Sequence, residues 1–297
     1  MSRELNSLHG LAWILGVPLF RLRALANDPD LHCRPFDKYG LGKSSRRIDN
    51  PSDNLKEVQR LIRHRFLAHR SLHHSVKACV KGGSPLKNAA VHVKQKNVAR
   101  VDIKRCFPSI TNKMVFRLLR EIGFGPKPAS LITQLVTWRG HLPQGAPTSD
   151  MLANLYLSPI DSRADAIASR MNLSNSRCMD DIALSGGGLT REAIGEIISA
   201  IQELGLSVRH KKTSNSGARQ QHELTGYDVT GPQPKVSKKK IQEVRTSVYQ
   251  AVLAHRRGES VDIKLRSIRG SLSYLRQTNP GVVRRLIAQM EGAGIPW

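Results

Sequence analysis

The sequence lacks any long apolar run. Its most apolar early stretch, residues 11–20, is interrupted by Gly16 and Pro18 and is too short to span a bilayer. The first residues do not read as a secretory leader, and neither an amphipathic basic helix nor a lipidation signal stands out. We therefore expect a cytoplasmic protein with no membrane partner.

Cysteine is also scarce. The four cysteines, Cys33, Cys79, Cys106 and Cys178, are scattered and show no Cys-X-X-Cys spacing. This pattern argues against a cysteine zinc site and against a disulfide framework, and it indicates reduced thiols. Internal repeats and low-complexity tails are missing as well, so no segment is set aside as disordered.

Acidic residues are few in this chain of 297 residues. It carries 23 Asp and Glu against 47 Lys and Arg, a formal net charge of +24. Such an excess destabilises a compact monomer by self-repulsion unless a polyanion screens it. Nucleic acid is therefore the expected partner. The length allows one large domain or two or three subdomains.

The few acids include an adjacent pair, Asp180 and Asp181. Short apolar-leaning runs flank the pair and three glycines follow, a pattern that predicts a tight β-hairpin with both carboxylates at its turn. Adjacent carboxylates repel each other unless a cation lies between them, which points to a hard divalent metal such as Mg²⁺. The alternative is a solvated turn, because Asp also suits turns.

A third carboxylate is predicted to lie near this pair. Residues 98–103 alternate so that Val98, Arg100 and Asp102 share one face of a strand, with Asp102 near its carboxyl end. Mainly helical sequence separates this strand from the hairpin. Neighbouring strand ends can bring three carboxylates together, an arrangement suited to two divalent ions and an in-line phosphoryl transfer.

The remaining chain is predominantly helical. We predict helices over residues 4–27, 54–72, 129–136, 150–171 and 191–204, a helix capped by Thr111 or Asn112 that runs to about Glu121, and a helix start at residues 88–92. Residues 34–50 are predicted as a basic β-hairpin or loop, and residues 224–230 as a strand or hairpin. Residues 142–149 are predicted as a rigid loop, residues 206–208 as a strand, and the basic region from residue 237 as two or three helices.

Several motifs resemble those of a known family. Residues 102–110 (Asp-Ile-Lys-Arg-Cys-Phe-Pro-Ser-Ile), 142–149 (Leu-Pro-Gln-Gly-Ala-Pro-Thr-Ser) and 178–181 (Cys-Met-Asp-Asp) are similar, in order and spacing, to successive palm motifs of reverse transcriptases. Residues 88–92 match the Asn-Ala-X-X-His element of the bacterial retron branch, and residues 224–226 resemble its Val-Thr-Gly element. The region around Gly270 and Asn279 is similar to its short thumb, so the resemblance covers nearly the whole chain.

The resemblance implies an α+β right-hand polymerase. N-terminal helices and fingers would occupy residues 1–97, a palm of antiparallel sheet plus helices residues 98–232, and a basic helical thumb residues 233–297. Such an enzyme copies part of a structured noncoding RNA into single-stranded DNA, starting from an internal RNA 2′-hydroxyl, commonly in antiphage defence beside a separate effector protein. Another bacterial defence- or CRISPR-associated reverse transcriptase, and an RNA-binding scaffold with decayed polymerase activity, remain alternatives.

The same resemblance assigns roles to individual residues. Asp102, Asp180 and Asp181 would be catalytic and, with Ile103, would form the site for two Mg²⁺ ions. The residues that would contact the incoming dNTP are Arg47 on its phosphates, Phe107 as the gate against a ribose 2′-hydroxyl, Gln144 and Gly145 against the nascent base pair, and Lys212 facing the triphosphate.

Each of these nucleotide contacts also has a plainer interpretation. Arg47 could belong to a generic basic turn, Phe107 to the core, Gln144 and Gly145 to an ordinary Pro-Gly loop, and Lys212 to the many surface lysines.

Other positions extend the resemblance or depart from it. Asn88 and His92 would share one helix face and either contact RNA or form buried hydrogen bonds. Cys178 stands where the family usually has Tyr, and Arg209 stands where many relatives have Asn.

Overall fold

The computed structural model describes residues 4–38, 46–209, 213–217 and 220–296. Its strands are β1 Cys33–Lys38, β2 Arg46–Pro51, β3 Val98–Asp102, β4 Ser174–Cys178, β5 Asp181–Ser185, β6 Ser214–Ser216, β7 Glu223–Leu224, β8 Tyr227–Asp228 and β9 Lys235–Val236. Its helices are α1 Leu8–Leu15, α2 Leu19–Asn27, α3 Asp53–Ile62, α4 Pro85–Ala90, α5 Cys106–Ser109, α6 Asn112–Glu121, α7 Pro126–Val136, α8 Ser149–Tyr156, α9 Ser158–Met171, α10 Arg191–Glu203, α11 Lys238–Arg256, α12 Asp262–Arg276 and α13 Pro280–Glu291.

A four-stranded antiparallel sheet in the order β4-β5-β3-β6 forms the centre of the molecule. Strands β4 and β5 form the hairpin predicted around Asp180 and Asp181, and β3 lies beside β5 as its antiparallel partner. Every residue of β5 is buried, because helices and the C-terminal region cover the sheet. The α+β prediction is confirmed.

The larger hydrophobic core lies between this sheet and the helices from α1 to α10. It includes the fully buried Ile103, Leu119, Ile132 and Leu152. Each such side chain stabilises the fold by about 1.5–3 kcal/mol relative to an exposed one. This packing fixes β3 and the hairpin in place.

Two smaller sheets accompany the central one. Strands β1 and β2 pair antiparallel, as predicted for residues 34–50, and the main chain of Asp49 donates to the carbonyl of Gln144 (2.9 Å). Strands β7, β8 and β9 form a small sheet that packs with α11, α12 and α13 around a second apolar cluster. The predicted division at residues 97/98 and 232/233 stays a prediction.

The helix predicted over residues 150–171 is two helices, and that prediction was wrong. Helix α8 ends at Tyr156 and α9 begins at Ser158. Pro159 lies in the first turn of α9, where its missing N–H leaves no hydrogen bond unmade, whereas inside a continuous helix it would break one. The helical region 4–27 is likewise interrupted, at Gly16, whose φ of 65° ends α1.

Three further predictions need correction. The helix predicted over residues 54–72 ends early, since a π-helical turn, Arg63–Leu67, closes it. Residues 206–208 contribute a single bridge, Val208 to Ile103, and the described strand at that sheet edge is β6. The helix near residues 88–92 begins earlier, at Pro85, because Ser84 accepts from the Lys87 main chain and caps it (3.1 Å).

Within the described residues, no single helix is long and apolar enough to cross a membrane. The bent pair of α1 and α2, which meet at 100°, passes the same test only when taken together and only on length and composition.

Candidate active site

Three carboxylates meet at one end of the central sheet. Asp102 is the last residue of β3 and Asp181 is the first of β5, and the two are direct antiparallel partners. Asp180 occupies the turn between β4 and β5, and its carbonyl accepts from the main chain of Ile103 (2.8 Å). The strand register therefore brings together the side chains that the sequence separates. Asp102 is 3% exposed and Asp181 is 7% exposed.

The carboxylate of Asp181 is held by an arginine. Arg100 Nε donates to both oxygens of Asp181 (2.6 and 2.7 Å), and Arg100 Nη2 lies 2.6 Å from Oδ2. Burial raises the pKa of Asp181 above its ordinary value, the hydrogen bond and charge of Arg100 oppose the rise, and the charges of Asp180 and Asp102 add to it. A concentration of like charge that a cation would relieve therefore exists at this edge.

Asp102 has an arginine beside it as well. Arg209 Nε lies 3.3 Å from Asp102 Oδ1, and the Arg209 main chain donates to the Asp102 carbonyl (2.8 Å). The substitution of Arg for the family's common Asn at this position thus places a guanidinium at the site.

A buried ion pair supports the turn from behind. Arg177, 1% exposed, binds Asp161 through Nε (2.6 Å) and Nη2 (2.7 Å), and its Nη1 donates to Asn154 Oδ1 (2.8 Å). The same Nη1 donates to the main-chain carbonyl of Met179 (2.8 Å). Met179 lies in the turn and has a φ of 58°. We call Arg177, Asp161 and Asn154 the charged clamp.

A second buried group ties the two hairpin strands together. Ser176 of β4 donates to Asn88 Oδ1 (2.9 Å) and so accepts from His92 Nε2 (2.7 Å). His92 Nδ1 then accepts from the Ser185 hydroxyl of β5 (2.6 Å). Burial lowers the pKa of His92 from 6.5 to about 4, so the ring is neutral at physiological pH. We call His92, Asn88, Ser176 and Ser185 the neutral clamp.

The neutral clamp settles which of the two interpretations of Asn88 and His92 holds. Both side chains are buried and hydrogen-bonded, so neither is accessible for direct contact with RNA. The expectation that they share a helix face is wrong, because α4 ends at Ala90 and His92 lies in the turn that follows.

An open cavity of about 640 Å³ adjoins the site at Asp180. Phe107 is half-buried there, packed on the core at its base, and Arg47 is mostly exposed, with Nε 3.8 Å from Asp49 Oδ1. The predicted site residues Arg47, Phe107, Gln144 and Asp180 line the cavity together with Met179 and Arg209. Lys212 lies outside the described residues.

Gly145 lets the predicted rigid loop dock against the β1–β2 hairpin. Its φ is 139°, and a Cβ there would lie 2.8 Å from the Asp49 carbonyl and 2.9 Å from Ile48 Cγ2. The adjacent Gln144 main chain exchanges hydrogen bonds with Asp49, accepting from its N–H (2.9 Å) and donating to Oδ2 (3.2 Å). Glycine is required here by both conformation and space.

Cys178 stays a neutral thiol beside the carboxylates. Burial raises its pKa to about 11, and the charges of Asp181 and Asp180 contribute. Cys106 behaves similarly, since burial raises its pKa to about 12. Neither cysteine offers the thiolate that a soft metal would need. The donor set of three carboxylates fits a hard divalent cation.

The sequence analysis assigned no role to Arg100 or to the pair of Arg177 and Asp161. Arg100 carried a usable signal, because strand alternation puts it on the same face as Asp102. Arg177 and Asp161 carried none, since one buried ion pair cannot be recognised among 47 basic residues.

The fold and the site define a class of polymerase. The family model described as "Reverse transcriptase (RNA-dependent DNA polymerase)" matches residues 37–229, more than half of the chain. The chain therefore belongs to the reverse transcriptase family and is an RNA-directed DNA polymerase. Members of this family use divalent metal ions, which agrees with the carboxylate cluster.

Its relatives identify the branch. The chain is 30% identical over 287 residues to the retron Ec86 reverse transcriptase of Escherichia coli, covering 95% of this chain and 88% of that protein. It is 28% identical to the retron Mx162 reverse transcriptase of Myxococcus xanthus, and the match covers 97% of this chain and 67% of that protein. The chain is a retron-type reverse transcriptase, and that prediction is confirmed.

The solved structures that it resembles include a telomerase from Candida albicans bound to a telomeric RNA fragment. The identity is 12%, the TM-score is 0.49, and the match covers 88% of this chain and 54% of that one.

Proposed function

We propose that this enzyme copies part of a cognate structured RNA into single-stranded DNA and joins the two through an internal RNA 2′-hydroxyl. We propose further that it works in the cytoplasm, beside a separate effector protein, in defence against phage. The observation that carries the proposal is the meeting of Asp102, Asp180 and Asp181 in a chain that belongs to the retron branch.

Two Mg²⁺ ions are proposed as the cofactors. Asp102, Asp180 and Asp181 would hold them, with the carbonyl of Ile103 as an additional oxygen ligand. When bound, they supply Lewis-acid activation of the primer hydroxyl and neutralise charge on the triphosphate. Burial raises the pKa of Asp181, the neighbouring charges of Asp180 and Asp102 add to the rise, and a bound cation would offset both effects, which supports this assignment.

The chain's own residues position the nucleotide. Phe107, at the base of the cavity, would exclude a ribose 2′-hydroxyl and so select dNTPs over rNTPs. Arg47 can reach phosphates through its exposed guanidinium, and Gln144 presents its side chain along the same cavity. Lys212, predicted to face the triphosphate, remains part of the proposal.

The basic C-terminal helices are proposed to contact the RNA. Contacts to an A-form helix or stem-loop are made largely through phosphates and 2′-hydroxyls, which exposed Lys and Arg side chains suit. The exposed basic residues of this region include Lys238, Lys239, Arg245, Arg256, Arg257, Arg266 and Arg269.

The test uses the protein purified with its bound nucleic acid. Supplied with Mg²⁺ and dNTPs, it should extend DNA from that RNA, and after ribonuclease treatment the DNA should keep a ribonucleotide attached through its 2′-oxygen. Asp180→Asn should abolish extension while leaving the copurified RNA unchanged.

Two outcomes would overturn parts of the proposal separately. DNA that carries no linked ribonucleotide would reject the branched product but keep the polymerase. A phage-plating assay in which Asp180→Asn protects cells as well as the wild type would reject a defensive role for DNA synthesis.

A further inference from the structure

A cluster of metal-ligating side chains lies outside the active site, where the segment after α3 meets α9. His73, His74 and Asp165 each present a ligand atom, and these atoms lie within 4.8 Å of one another. His74 Nε2 is 3.3 Å from Asp165 Oδ1, and His73 Nε2 is 3.8 Å from Oδ2. Corners of a tetrahedral zinc site with bonds of ~2.0–2.1 Å are separated by about 3.4 Å, so little movement would complete the geometry.

Contacts around the cluster orient its ligands. His73 Nδ1 lies 2.9 Å from the Ser75 hydroxyl. When Nδ1 carries the ring hydrogen, it donates a hydrogen bond to this hydroxyl, and the lone pair of Nε2 faces Asp165. In that tautomer the Ser75 main-chain N–H, 3.3 Å from Nδ1, loses this acceptor. Asn175 of β4 donates to Asp165 Oδ1 (3.3 Å), and the two imidazole rings lie with centroids 4.3 Å apart. Such outer contacts are typical of protein metal sites.

The location gives the cluster a structural consequence. Directly after the two histidines, the chain runs beside β4: the Arg177 main chain donates to Ser75 (2.9 Å) and accepts from Lys77 (2.8 Å). Strand β4 leads into the turn that carries Asp180. A cation shared by His73, His74 and Asp165 would therefore fasten this segment to α9 at the edge of the catalytic hairpin.

We propose that His73, His74 and Asp165 bind one divalent transition-metal cation of the Zn²⁺ class. Imidazole ligands suit such cations, whereas Mg²⁺ prefers the all-oxygen set of the catalytic carboxylates, so the two sites take different metals. Three protein ligands leave a fourth position for water. The cation acts as a fastener for the segment beside β4 and takes no part in nucleotidyl transfer.

The test is an isothermal calorimetric titration of the untagged full chain, freed of metal with a chelator. Zn²⁺ is the titrant, and the buffer contains excess Mg²⁺ to fill the carboxylate site. The wild type should bind one Zn²⁺ per chain in this site. His74→Asn and Asp165→Asn should each weaken binding at least about tenfold. Both side chains are exposed enough to replace without disturbing the core, and Asn at position 165 keeps an oxygen for Asn175.

Two controls separate this site from other histidines. His9→Asn removes an exposed histidine far along the chain from the cluster and should leave Zn²⁺ binding unchanged. Co²⁺ in place of Zn²⁺ should give the intense visible absorption of a four-coordinate site in the wild type and in His9→Asn, and lose it in His74→Asn.

Proteolysis supplies an independent measurement. Zn²⁺ should slow tryptic cleavage at the exposed Arg70 in the wild type, because the segment that follows becomes fastened, and should have no such effect in Asp165→Asn. Unchanged affinity in both His74→Asn and Asp165→Asn would overturn the proposal, as would Zn²⁺ binding that excess Mg²⁺ abolishes.

Discussion

The charged clamp and the neutral clamp hold the same β4–β5 hairpin by different chemistry. The charged clamp reaches from α8 and α9 to the turn, where Arg177 donates to the Met179 carbonyl. The neutral clamp reaches from α4 and the turn that follows it to the strands themselves, where His92 bridges Ser176 and Ser185. One clamp fixes the turn and the other fixes the spacing of the strands that lead to it.

The difference shows when the contacts of a buried charge offset the cost of its desolvation. An ion pair in the interior costs several kcal/mol in lost hydration, which only good geometry and additional hydrogen bonds offset. Arg177 meets that condition with its bidentate contact to Asp161, and its fork has a further N–H for the turn carbonyl. Strand spacing needs no such reach, so uncharged groups suffice.

The largest effect is expected from breaking the charged clamp. Arg177→Met leaves Asp161 buried without its partner and should lower the free energy of unfolding by about 3–5 kcal/mol, measured by urea denaturation. The double variant Arg177→Met with Asp161→Leu removes the stranded charge and should recover most of the loss. A double variant as unstable as the single one would contradict this account.

The neutral clamp should reveal itself through pH. The pKa of His92 is about 4 in the fold against 6.5 ordinarily, so between these values the unfolded chain binds one more proton. The contribution of His92 to the free energy of unfolding is fully present above pH 6.5 and falls by about 1.4 kcal/mol per pH unit below that pH. The loss levels off below pH 4, at a total of about 3 kcal/mol. The difference in the free energy of unfolding between wild type and His92→Gln, measured by urea denaturation across pH, isolates this contribution, and that difference should be independent of pH above pH 7.

The rate of DNA synthesis should depend on the contact that the charged clamp makes with the turn. Arg177→Lys keeps a positive charge near Asp161, but a single ammonium cannot hold both that carboxylate and the Met179 carbonyl. The turn should shift, and single-turnover DNA extension should slow by about 100-fold. Equal rates for Arg177→Lys and wild type would show that the turn does not depend on this contact.

The smallest effect is expected within the neutral clamp. Ser185→Ala leaves His92 Nδ1 buried without a donor and should lower the free energy of unfolding by about 1–2 kcal/mol. Ser162→Ala, at an exposed serine on α9, is the matched control and should change stability by less than about 0.5 kcal/mol. Similar values for the two variants would mean that the neutral clamp contributes little.

The sequence predicts the carboxylates of the site better than the buried residues that hold them in place. Alternation in β3 and the turn pattern at Asp180 locate the carboxylates, because both signals are local. The partners of Arg177 lie on α8 and α9, and their contacts depend on how those helices pack after the break near Pro159. Only tertiary packing decides which basic residue is buried.

Gly145 has a mechanical consequence. Its main chain lies so close to Asp49 and Ile48 that even a methyl group would not fit, and Gln144 and Asp49 are joined by hydrogen bonds. The β1–β2 hairpin and the loop thus share one wall of the cavity. Any swing of the hairpin that widens the entrance must move the loop with it, so Arg47 and Gln144, which line the same cavity, would change position together.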